Sequence, residues 1–258
     1  MPRGGAGTLR RVDLGLSGRT ALVFGASSGL GLASAEALAE EGANVALFAR
    51  REDLLTREAG RIGGLAVPGD VTRPDDLQRA VAATLERFGG LDVLVWNGGG
   101  PAPGTALETT PAGLEQGLAL MLEPLVRLVE LCLPQLVRSG AGRIIAITSL
   151  VAKEPSTHLA ISNAYRPAVT GWLKTLSREV GPHGITVNCV APGNIATARL
   201  EQLYPEGPTP EQVAGIPLGR WGEPRELGDV VCFLASDRAR YVSGQTIAID
   251  GGLSHTIF

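Results

Sequence analysis

The sequence predicts an α/β protein: a doubly wound, seven-stranded parallel sheet with helices on both faces. Three observations predict it. Short apolar runs alternate with helix-forming stretches along nearly the whole chain, and that alternation implies parallel pairing through right-handed crossovers. A glycine turn, Gly25-Ala26-Ser27-Ser28-Gly29-Leu30-Gly31, joins the first apolar run to the first helix. Arg50, Asp70, Asn97, Ser149 and Pro192 each follow an apolar run, and ligands of such sheets sit beyond the carboxyl ends of the strands.

Taken in order, residues 1–16 are glycine-rich and without periodicity and read as a flexible N-terminal arm, while residues 17–258 read as one dinucleotide-binding domain. Thr20-Ala21-Leu22-Val23-Phe24 is the first strand. In the G-x-x-x-G-x-G turn after it, Gly25 permits the tight turn, Gly29 lets backbone approach phosphate oxygens and Gly31 lets helix pack on strand. Free N–H groups and the positive end of the helix dipole then face an anion. The helix through Ala33 to Glu41 ends at Gly42, a C-cap, and Asn44–Ala49 is an apolar run typical of a buried parallel strand. The pattern repeats: helix Arg51–Arg61, a strand ending at Asp70, helix Pro74–Phe88, strand Leu91–Trp96, one long helix from about Pro111 to Arg138, and strand Arg143–Thr148. A helix then runs towards Gly181, followed by strand Ile185–Val190, a helix near Arg225–Ala235 and a last strand Gln245–Ile249. The least regular segment, Asn194 to Gly222, carries Pro205, Pro208, Pro210 and Pro217 and reads as a lid over a substrate.

At 258 residues the chain can bury one sizeable core. Its 23 basic and 26 acidic residues form no long run of either sign, which gives no electrostatic reason to expect nucleic acid or an anionic membrane as partner. Lys153 and Lys174 are the only lysines; arginine in their place fits a hot habitat or a GC-rich genome. Cys132, Cys189 and Cys232 lie far apart in apolar surroundings and read as buried reduced thiols. No metal-ligand spacing occurs. The arm lacks the apolar core of a secretion signal and no run of membrane-spanning length is present, so a cytoplasmic protein is expected.

Gly25 to Gly31, with Asp70, Asn97-Gly98-Gly99, Ser149 and Pro192-Gly193-Asn194-Ile195-Ala196-Thr197, resembles the short-chain dehydrogenase/reductase family from about Leu16 to Gly252. Asn97-Gly98-Gly99-Gly100-Pro101 and Lys153-Glu154-Pro155 are similar to a branch related to 3-oxoacyl-carrier-protein reductases, in which the active site is imperfect. The resemblance implies a Rossmann fold binding a nicotinamide dinucleotide. It places Gly25, Ser27, Ser28, Gly29, Leu30 and Gly31 at the pyrophosphate, Asp70 and Val71 at the adenine, Asn97, Gly98 and Gly99 along the cofactor, and Pro192, Gly193, Ile195 and Thr197 at the nicotinamide carboxamide. Phe24 and Trp96 depart from the family's usual residues and are expected to alter packing on the adenine side. NAD enzymes commonly carry a carboxylate at the tip of the second strand. Here that position is Ala49, followed by Arg50 and Arg51, and a guanidinium suits a phosphomonoester. NADP(H) is therefore expected over NAD(H), with Arg50 at the 2′-phosphate and Arg51 a solvated start to the next helix.

The reaction centre breaks the family's pattern. Reducing a ketone with a hydride leaves charge on oxygen, which needs a proton donor and a neighbouring hydrogen-bond donor. The family supplies serine, tyrosine and lysine, with an asparagine completing a relay. Spacing puts Ser149 at the serine, Ser162 at the tyrosine, Arg166 at the lysine and Met121 at the asparagine. An alkyl hydroxyl is a poor acid and arginine stays protonated. Pro167 is expected to delay or kink the helix and move Arg166 away. Tyr165, His158 and Lys153 lie close enough in sequence to be substitute donors. Leu150, Met121, Leu200 and Leu203 suggest an apolar pocket wall.

Two functions stay open. One is an NADP(H)-dependent oxidoreductase acting on a small carbonyl or hydroxyl substrate; the other is a cofactor-binding pseudoenzyme serving as sensor or partner subunit. Arg220-Trp221-Gly222-Glu223-Pro224, Val242-Ser243-Gly244-Gln245 and Asp250-Gly251-Gly252 resemble the family's oligomer-forming end, implying a homotetramer or a dimer.

Overall fold

A computed structural model describes residues 12–198, 200 and 206–257. Seven parallel strands form one sheet in the order β3-β2-β1-β4-β5-β6-β7. They are β1 Thr20–Phe24, β2 Asn44–Ala49, β3 Leu65–Pro68, β4 Val93–Trp96, β5 Arg143–Ile147, β6 Thr186–Pro192 and β7 Thr246–Ile249. The order reverses beside β1, whose neighbours are β2 and β4, so a crevice opens at its carboxyl end where connections leave in opposite directions.

Alternate residues of β1 feed two cores. Leu22 and Phe24 pack with Leu77 of α3 (Pro74–Phe88), Leu128 of α5 (Glu123–Ser139) and Leu173 of α6 (Ala160–Val180). Ala21 and Val23 pack with Leu38 of α1 (Gly29–Glu40), Leu55 of α2 (Glu52–Ile62) and Val231 of α8 (Pro224–Ala235). Burial on both faces explains why the strands read as continuous apolar runs.

Three expectations are corrected. The long helix is two, α4 (Pro111–Met121) and α5, separated at Leu122, which stays in the right-handed helical region but with φ stretched to −109°. Pro124 is the cause: it has no N–H to offer a preceding carbonyl but fits the first turn of a new helix. Pro167, by contrast, neither delays nor divides α6, which runs through it from Ala160. Asn163, whose carbonyl Pro167 leaves unserved, anchors the helix start by exchanging side-chain hydrogen bonds with the Ser156 backbone at 2.7 and 3.2 Å, and Val169 and Leu173 hold the next turns in the core. The arm is anchored where it is described: Leu16 is buried and the Leu14 carbonyl accepts from the Asp237 N–H. Within the lid-like stretch, α7 (Pro210–Ala214) starts with a Thr209 capping box, while Leu203 lies outside the described residues.

Candidate functional site

A cleft of about 620 Å³ lies over the carboxyl ends of β1, β2, β4 and β5. Its floor is set by the glycine turn. Gly25 has φ +62°, and a Cβ on it would lie 2.5 Å from the Asn97 carbonyl oxygen; a Cβ on Gly31 would collide with the Gly25 carbonyl. Asn97 Nδ2 donates to the Gly25 carbonyl at 3.3 Å and ties the tip of β4 to the turn. The first turn of α1 follows directly, with no acidic side chain to oppose an anion, so backbone donors and the helix dipole favour negative charge there. Ser28, the N-cap, makes no side-chain cap. Its hydroxyl accepts instead from Arg51 Nη2 at 2.6 Å, and Ser27 Oγ accepts from the same nitrogen at 3.2 Å. Arg51 thus reaches back over the turn, and the expectation that it merely faces solvent is corrected; Arg50 also lines the cleft. Asp70 forms a local turn by accepting from the Thr72 N–H and hydroxyl at 2.9 Å, and with Val71 borders the same end. Beneath it Phe24 stacks near Phe48 and Trp96, with ring centroids 4.7 and 5.7 Å away. Phe24 and Trp96 are therefore core packing beneath this end of the cleft.

At the other end the cleft is lined by Gly98, Gly99, Leu120, Ile147, Thr148, Arg166, Thr197 and Ala198. Pro192, Gly193 and Ile195 act one step back. Gly193 N–H donates to the Ile249 carbonyl, Ile195 is buried and bridges Gly222, and the two hold the strand end that presents Thr197. Arg220 and Glu226 pair at 2.6 Å beside this bridge, and Arg220 pulls the Glu226 carboxyl down to about 2.

Ser149 Oγ accepts from the Val151 N–H at 3.3 Å and caps a short 3₁₀ turn, and the residue follows Thr148 without itself lining the cleft. Ser162 is buried and does not line the cleft. Arg166 does line it, and its Nη1 donates to the Ile147 carbonyl at 3.2 Å. The three substitute donors are not brought to the cleft. Tyr165 packs on Gly117 of α4 and its hydroxyl donates to the Leu114 carbonyl at 2.7 Å. His158 is exposed in the loop that pairs with Gly104, and Lys153 sits past the 3₁₀ turn. Met121 is buried; its neighbour Leu120 forms the wall instead. The cysteine thiols are buried and pushed up to about 12 by loss of solvation.

The sequence model of a family described as Enoyl-(Acyl carrier protein) reductase matches residues 25–254. The 3-oxoacyl-[acyl-carrier-protein] reductase of Vibrio cholerae is 35% identical over 242 residues, covering 93% of this chain and 99% of that one. This chain belongs to the short-chain dehydrogenase/reductase family. Among solved structures of the family, L-sorbose reductase from Gluconobacter frateurii, complexed with NADPH and L-sorbose, superposes with a TM-score of 0.89 at 33% identity, covering 95% and 100% of the two chains. A 3-ketoacyl-(acyl-carrier-protein) reductase from Brucella melitensis, complexed with NADH, gives 0.86 at 30% identity, covering 93% and 99%. Both of these relatives were solved with a nicotinamide dinucleotide bound, and the glycine cradle of the present cleft leaves the room that such a group's diphosphate needs. Cleft-lining residues missed in the sequence include Arg51 in its cleft role, Phe48, Gly69, Leu120, Ile147, Thr148 and Ala198. Only the Arg50-Arg51 doublet offered a signal. Among the described residues no helix is long and apolar enough to cross a membrane and no metal-ligand cluster occurs.

Proposed function

We propose that the chain is an NADP(H)-dependent oxidoreductase with an atypical active site, acting on a small carbonyl or hydroxyl substrate in the manner of 3-oxoacyl-carrier-protein reductases. One observation carries the cofactor preference: Arg51 is held over the glycine turn by Ser27 and Ser28, at the end of a β2 that finishes in Ala49 instead of a carboxylate. Two serine hydroxyls and a guanidinium there give a phosphomonoester several charge-assisted partners. The reduced nicotinamide, when bound, supplies hydride. Of the chain's own groups, Ser149 offers a hydroxyl donor and Arg166 a permanent cation. Equilibrium titration tests the preference: NADPH binding more tightly than NADH supports it, and equal or tighter NADH binding rejects it.

A second reading, a cofactor-binding sensor or partner subunit without turnover, is favoured by the placement of Tyr165, His158 and Lys153 outside the cleft lining. Binding without NADPH oxidation across a carbonyl panel would select it. The oligomer is proposed to be a homotetramer or dimer in the cytoplasm, supported by the family-like C-terminal segments; a scattering mass of one chain would reject the assembly.

A further inference from the structure

We propose that the cleft discriminates between the redox states of its coenzyme, holding the reduced, uncharged nicotinamide and disfavouring the oxidised, cationic one, with Arg166 as the residue that tells them apart. This deepens the cofactor reading above and rests on it.

NADPH and NADP⁺ share their adenine, riboses and phosphates and differ at one place. The reduced ring is a neutral dihydropyridine, and the oxidised ring is a pyridinium with a full positive charge. Contacts to the shared parts act on both forms alike, so the ratio of the two affinities reports the electrostatic field at the ring.

Four charged side chains line the cleft: Arg50, Arg51, Asp70 and Arg166. Arg50 and Arg51 follow the end of β2, and Asp70 follows β3, so these three belong to the end away from the ring. Asp70 is the one carboxylate in the lining among the described residues, and it is engaged with the Thr72 N–H and hydroxyl. The inner end therefore has Arg166 as its charged lining group, between the apolar walls of Leu120, Ile147 and Ala198. The guanidinium is held there, since α6 carries the residue and its Nη1 donates to the Ile147 carbonyl at the tip of β5.

Two effects at this end act in the same direction. A guanidinium stays protonated across the working pH range, and like charges repel more strongly where apolar walls thin out the water. Those walls also offer a pyridinium nothing in place of the solvation it gives up. The neutral ring meets neither cost. Occupancy then follows the ratio of reduced to oxidised coenzyme and not their total. In an oxidoreductase this favours uptake of NADPH and release of NADP⁺; in a protein without turnover it makes the coenzyme ratio the quantity sensed.

The test is equilibrium calorimetry of the full chain with NADPH and with NADP⁺ in one buffer, for wild type, Arg166→Gln, Arg166→Met and Arg166→Lys, each with a thermal melt to show that it is folded. Wild type is expected to bind NADPH about tenfold or more tightly than NADP⁺, the size expected of two unit charges in a partly solvated cleft. Arg166→Gln keeps an amide donor for the Ile147 carbonyl and removes the charge, so the ratio should fall to within about threefold of unity, chiefly through tighter NADP⁺ binding. Arg166→Met should give the same result, and Arg166→Lys should keep the wild-type ratio. The NADH to NAD⁺ ratio should match, because the 2′-phosphate is common to both members of the other pair. A wild-type ratio near unity or in favour of NADP⁺ overturns the inference. So does a ratio unchanged in a folded neutral variant, or one lost in Arg166→Lys, where the cation remains. The cofactor reading fails differently: NADH binding as tightly as NADPH rejects the phosphate preference while the reduced-to-oxidised ratio still tests Arg166, and a folded wild type that binds neither form rejects the dinucleotide site and this inference with it.

Discussion

The two ends of the cleft are specified by different parts of the polypeptide. At the pyrophosphate end the backbone itself makes the site: Gly25 and Gly31 leave no room for a side chain, and Asn97 braces the turn. At the other end, single side chains just after β5 and on α6 are proposed to decide the chemistry, and α6 folds and packs with Ser162 and Arg166 at the positions where the family resemblance implies tyrosine and lysine. A backbone-made site changes only at the cost of the fold around it, whereas side chains displayed on an intact helix can be exchanged freely. One chain can therefore keep its cofactor cradle while its proton chemistry drifts.

The largest effect expected from this contrast is at the cradle. Gly31→Val should abolish NADPH binding in an equilibrium titration and cost about 1–3 kcal/mol of stability by overpacking, while a substitution at the reaction end, Ser162→Ala, leaves binding within about twofold of wild type. Next, Arg51→Ala should weaken NADPH by roughly tenfold to a hundredfold and leave NADH unchanged, the loss of a charged hydrogen bond being worth about 1.5–3 kcal/mol. Arg50→Ala in the same titration should do less. Smaller still, Lys153→Met, His158→Asn and Tyr165→Phe should leave turnover unchanged, and Tyr165→Phe should lower stability by about 0.5–1.5 kcal/mol through the lost bond to Leu114.

The smallest effect concerns the brace beside the Ile195–Gly222 bridge. Glu226 is pulled down to about 2 by Arg220 and by the Glu223 N–H. A carboxyl with a lowered folded value stabilises the protein above the ordinary carboxylate range, and the gain fades as pH falls through that range towards about 2. The pair is exposed, so solvent screens it and the shift is modest. Melting curves of wild type and Glu226→Gln should converge as the pH falls through this range.

The seven-stranded parallel sheet and the cradle were legible because they rest on patterns that chain physics repeats: apolar runs buried on both faces, and glycines where a Cβ has no room. Direction was harder to read. Tyr165 adjoins Arg166, yet neighbouring helix residues diverge by about 100°, so Arg166 in the cleft turns Tyr165 towards α4. Arg51 is the N-cap of α2 with extended backbone, and that geometry sends its side chain back to Ser27 and Ser28, which no local pattern announces. Pro167 looked disruptive because propensity was weighed without the packing that holds α6. The C-terminal tail gave no signal at all: Glu154, just past Ser149, accepts from the His255 N–H at 3.0 Å and the Ser254 hydroxyl at 3.3 Å across a hundred residues of sequence.

The central claim is that backbone amides after β1 clasp the diphosphate of a nicotinamide coenzyme independently of the altered reaction centre. Calorimetric titration of the full chain with NADPH, beside Gly31→Val and the double variant Ser162→Ala/Arg166→Met, tests it most directly. Saturable binding by wild type and the double variant, with none by a folded Gly31→Val, is the predicted result. Undiminished binding by Gly31→Val, or a folded wild type that takes up no coenzyme, would contradict it.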